Sequence, residues 1–74
     1  MFEMRPLSEL VQIAKAGGGM TLDAGMRPVD ELVQIARAAS EHSARITFKG
    51  LKLRPTSELV IIASAGQGAV VFEP

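Results

Sequence analysis

The chain has no cysteine, which excludes disulfides and thiolate metal sites and fits a reducing compartment. His42 is the single histidine, so one chain cannot build a His-rich zinc site. Tryptophan and tyrosine are absent and phenylalanine occurs three times, which leaves few rings on which bases could stack. Excess charge of either sign is missing too: eight Lys and Arg balance eight Asp and Glu. A zero formal charge argues against nucleic acid and anionic membranes, whose binding draws on accumulated Lys and Arg. No apolar run approaches the roughly 20 residues that span a bilayer. The opening MFEMRPLSEL lacks a basic segment followed by an apolar one, so no secretory leader is expected. The composition predicts a soluble, cytoplasmic protein.

A chain of 74 residues buries only about 60% of its unfolded surface. Domains this small commonly lean on a disulfide, a metal or a partner subunit. With the first two removed, association with a second copy or with another protein is the aid that remains.

What the sequence does have is repetition. RPLSELVQIAKA (5–16), RPVDELVQIARA (27–38) and RPTSELVIIASA (54–65) share Arg, Pro, Glu, Leu, Val, Ile and Ala at fixed positions. The prolines are spaced 22 and 27 residues apart. Each copy predicts a helix: Pro6, Pro28 and Pro55 suit a first helical position, where the missing N–H costs nothing. The Arg before each Pro is held extended, and Glu9, Glu31 and Glu58 suit the positive end of the helix dipole. Gly17 to Gly19 and Gly66 read as helix ends. The second copy continues as ASEHSAR, which predicts about one further turn.

Between the copies the period changes to two. Met20-Thr21-Leu22-Asp23, Ile46-Thr47-Phe48-Lys49 and Val70-Val71-Phe72-Glu73 alternate as half-buried strands do, and Phe2-Glu3 reads as a stub of a fourth. The expected architecture is an α/β two-layer β-α-β-α-β-α-β repeat, with four mainly parallel strands and three helices on one face. The expected organisation is a single domain, 1–74, of three tandem βα units (1–19, 20–45, 46–69) with a closing strand, 70–74. Phe2, Met20, Leu22, Ile46, Phe48, Val70 and Phe72 are expected to face the helices, and the Thr, Asp, Lys and Glu between them to form a polar outer face.

The stretch ITFKGLKLRPTSELVIIASAG, 46–66, resembles a leucine-rich repeat of the ribonuclease-inhibitor kind: a strand, a turn and a helix. The family's Asn after the strand is absent, Leu51 stands near its place, and MTLDAGMRP is shortened at that point. The resemblance implies a curved βα stack that binds proteins on its strand face, with no catalytic residue.

Several residues invite a function. Arg5, Arg27 and Arg54, each next to a helix start, form a row that could hold an anion or nucleotide; pairing with the Glu four residues on is the competing expectation. Gly17-Gly18-Gly19 lacks the Lys and Ser or Thr of a phosphate loop and ends a helix rather than opening one. Glu41, His42 and Ser43 are chain neighbours and cannot converge on one substrate atom as a triad does.

The sharpest irregularity is Ile61, which stands where the sister copies hold Gln12 and Gln34. Ser64 likewise replaces Lys15 and Arg37. The expected function is therefore a non-enzymatic, self-associating assembly module without cofactor or metal. Its contact surface is expected on the third helix (Ile61, Ser64, Ala65, flanked by Glu58 and Ile62) and on the edge strands (Phe2, Val71, Phe72).

Overall fold

The computed structural model describes residues 5–73. The elements run α1 (Leu7–Lys15), β1 (Met20–Asp23), α2 (Val29–Glu41), β2 (Ile46–Lys49), α3 (Thr56–Gly66) and β3 (Val70–Phe72). The strands form one parallel sheet in the order β1-β2-β3. Met20 lies opposite Ile46, and Ile46 opposite Val70. The protein is thus α/β, with three helices and a three-stranded parallel sheet among the described residues. The stub Phe2-Glu3, expected as a fourth strand, lies outside them.

Each helix starts one residue later than the sequence suggests. Pro6, Pro28 and Pro55 have ψ of 156, 152 and 151°, extended values that make each proline the cap rather than the first helical residue. Their carbonyls still accept the first helical bonds, from the N–H groups of Glu9 (3.1 Å), Glu31 (3.1 Å) and Glu58 (3.0 Å). The repeated Arg-Pro pair therefore sets where each helix begins.

The helix ends differ, for physical reasons. At α1, Gly17 (φ 86°) donates its N–H to Ala14 and Gly18 donates to Ile13, the paired bonds of a glycine-terminated helix. Helix α2 runs 13 residues against 9 in α1, the extra turn expected. Past its end at Glu41 and the cap at His42, the chain turns at Ser43 (φ 61°), where a side chain is strained, and Ala44 donates back to Ala39. Gly66 does not end α3 as expected. It is the last helical residue, and the left-handed step falls on Gln67 (φ 47°). Gly66 is needed for another reason: a Cβ there would lie 2.8 Å from both γ-methyls of Val70.

Alternate strand residues turn to the helices. Leu22, Ile46 and Phe48 are fully buried and Met20 nearly so, while Thr21, Asp23 and Lys49 are exposed. Leu10, Leu32, Ile35 and Ile62 close the core from the helix side. The Phe48 and Phe72 rings stack with centroids 6.4 Å apart. Val70 and Phe72 depart from the expected burial: Val70 is half-buried and Phe72 exposed. They belong to the edge strand, which no described strand covers on its far side. Leu51, near the place of the leucine-rich repeat's Asn, is buried as an apolar core residue.

Candidate interaction surface

The three Arg residues form a connected series through the backbone. Arg5, Arg27 and Arg54 each place Nη1 3.0–3.1 Å from the Oε1 of Glu9, Glu31 and Glu58. The other terminal nitrogen reaches back one copy. Arg27 Nη2 donates to the carbonyl of Arg5. Arg54 Nη2 donates to the carbonyls of Arg27 and of Ala24, the latter at 2.8 Å. Each later helix start is thus fixed to the helix start before it. Burial follows: the Arg5 side chain is 49% exposed, against 13% for Arg27 and 14% for Arg54. The carbonyl contacts are absent from any sequence pattern, because a backbone acceptor leaves no residue signature.

Two apolar side chains sit immediately before this series. Met26 and Leu53 are almost wholly exposed. They rim an open groove with Asp23, Gly50, Lys52 and Pro55 in the loops leading into α2 and α3. Asp23 Oδ1 accepts the N–H of Gly25 at 3.1 Å, and Gly50 passes close by at φ 76°, where a Cβ would meet that oxygen at 2.5 Å. The groove lining thus includes a loop-locking carboxylate, Asp23, and a close glycine, Gly50.

The expected contact residues separate in space. Ile61 is 52% exposed, as its alignment with Gln12 and Gln34 predicts, and its neighbour Val60 is 56% exposed. Ser64 is exposed, but Ala65 is half-buried and packs against the core. Ser64 and Ala65 line a groove with Arg37, Ser40 and Glu41, between α3 and the end of α2. Val71 and Phe72 are exposed on β3, and Phe2 lies outside the described residues. Sequence reasoning missed Val60 and Ala63. Both match the repeat and so read as core, yet Ala63 is exposed while its counterparts Ala14 and Ala36 are fully buried. Their letters carry no signal, because what differs is that no described helix follows α3.

Glu41, His42 and Ser43 are all exposed as consecutive residues at the end of α2. Among the described residues no group of three or more His, Asp or Glu comes together to hold a metal, and no helix is long and apolar enough to cross a membrane. Comparison with protein-family models, with curated proteins and with solved structures finds no match to this chain.

Proposed function

We propose that the protein is a non-enzymatic assembly module, a stack of tandem βα units that associates with copies of itself through α3 and β3. The observation that carries this reading is the exposure of Val60 and Ile61, side by side on a helix whose polar residues are limited to Thr56, Ser57, Glu58 and Ser64. A scattered surface Ile is ordinary; two adjacent large aliphatic residues exposed on the last helix make a patch suited to burial against another chain. Val71 and Phe72 are exposed separately, on the edge strand. β3 adds a row of backbone groups able to extend the sheet. A small core gains stability from such association.

The alternative, an anion or nucleotide held by the Arg row, draws less support. Arg27 and Arg54 are mostly buried and direct their terminal nitrogens at glutamates and main-chain carbonyls.

Light scattering over a range of concentrations tests the proposal. The wild-type protein is expected to exceed its 7.9 kDa monomer mass. Replacing Val60 and Ile61 together by Gln is expected to return it to that mass. A wild-type protein that stays monomeric at millimolar concentration would overturn the reading.

A further inference from the structure

Equivalent positions of the repeated motif differ in exposure, and the differences fall on opposite sides of the first and last helices. Ala14 and Ala36 are fully buried, but Ala63 is exposed; Val11 and Val33 are half-buried, but Val60 is exposed. At the other end Ala38 is buried where Ala16 is exposed, and Ile35 and Ile62 are buried where Ile13 is only half-buried. The groove between α1 and α2 shows which side is which: α1 lines it with Val11 and Lys15, and α2 with Gln34 and Ala38. The Val side of each helix thus turns to the helix after it, and the side bearing Ala38 turns to the helix before it. Among the described residues, the last helix leaves the first kind of surface uncovered, and the first helix leaves the second.

The elements are complementary in the same sense. Among the described residues α1 has no strand before it and β3 has no helix after it.

We propose that copies associate head to tail, with α1 of one copy packed against Val60 and Ala63 on α3 of the next, over that copy's β3. The contact repeats the one α1 makes with α2 and α2 makes with α3. β3 enters beside β1 of the incoming copy, Val70 opposite Met20, continuing the register of the two existing strand pairs. The Arg5 guanidinium of the incoming copy donates to the Arg54 carbonyl, as Arg27 donates to Arg5 and Arg54 to Arg27 within one chain. Together the helix of one copy and the strand of another form one more βα unit. The two surfaces differ, so the interface is heterologous and propagates unless it closes into a ring. The inference rests on the self-association proposed above and specifies its geometry.

Two variants test it. Ala16→Arg blocks the leading surface and Ala63→Arg the trailing one. Both sites are exposed in the single chain, and circular dichroism of each variant confirms that it folds. Each alone is expected to remain at 7.9 kDa. Mixed, they are expected to form a one-to-one particle of twice that mass and nothing larger, because each retains the surface the other lacks. Arg5→Ala, whose side chain is half exposed in the single chain, is expected to weaken wild-type association about tenfold or more. If Ala16→Arg assembles like wild type and the mixture forms no pair, the head-to-tail geometry is wrong while self-association stands. If wild type itself never exceeds the monomer, both fall.

Discussion

The Arg series allows one substitution to be compared at two equivalent positions with different expected costs. Arg54→Ala removes two charge-assisted bonds to carbonyls and the contact with Glu58. A hydrogen bond to a charged group contributes about 1.5–3 kcal/mol where water cannot replace it. Three features reduce the sum. Water enters the space the side chain vacates, Glu58 is 32% exposed so its ion pair is worth at most about 1 kcal/mol, and the buried Arg54 Nε has no acceptor among the described residues. A net loss of about 2–4 kcal/mol follows. At about 4–8 °C per kcal/mol for a domain this size, the melting temperature should fall by about 8–32 °C. Arg5→Ala removes the same charge from the same motif, yet its pair with Glu9 is half exposed on both sides, and about 0–1 kcal/mol is expected. Urea and thermal unfolding, followed by circular dichroism at several low concentrations to separate folding from association, measure both. Equal losses at the two positions, or a loss below about 1 kcal/mol at Arg54, would refute the claim that the backbone contacts hold the later helices in place.

Other expectations follow from single contacts. Gly50→Ala should cost about 1–3 kcal/mol by urea denaturation, since the site has positive φ and the new methyl meets Asp23 Oδ1 at 2.5 Å. Ser43→Gly should stabilise by about 0.5–1 kcal/mol in the same assay, because Ser43 adopts the left-handed conformation that Gly17 takes after α1. Ala36→Leu should cost about 1–3 kcal/mol by overpacking a fully buried site, while Ala63→Leu at the exposed counterpart should stay within about 0.5 kcal/mol. Ile61→Gln alone should leave monomer stability within about 0.5 kcal/mol, its sister helices already carrying Gln12 and Gln34.

The helices and strands were legible because the local signals agree: Arg-Pro before each helix, the invariant Glu, and strands that alternate with period two. Ile61 was legible because it breaks a pattern. Val60 and Ala63 were not, because they keep it: identical letters carry opposite burial when one helix has a neighbour and the other has none. Ser43 and Gln67 hide their left-handed backbone behind ordinary residue types. Gly66 looked like a terminator, and only the approach of Val70 explains it. The Arg-to-carbonyl contacts join positions 22, 27 and 30 residues apart, and their acceptors could belong to any residue, so composition and spacing could not reveal them.

The backbone anchoring of Arg27 and Arg54 bears on how such a chain can change length over evolution. From Leu22 to Pro28 is six steps and from Phe48 to Pro55 seven, yet both junctions are tied to the preceding one by the same kind of contact. Helix starts are indexed to each other rather than to the strands that lead into them. A residue gained or lost at exposed Lys52 or Leu53 is taken up in the loop beyond buried Leu51, whereas one inserted between Arg54 and Glu58 separates the guanidinium from its carboxylate and moves the next helix out of phase. Variation in length should therefore collect on the strand side of each Arg-Pro pair and stop there.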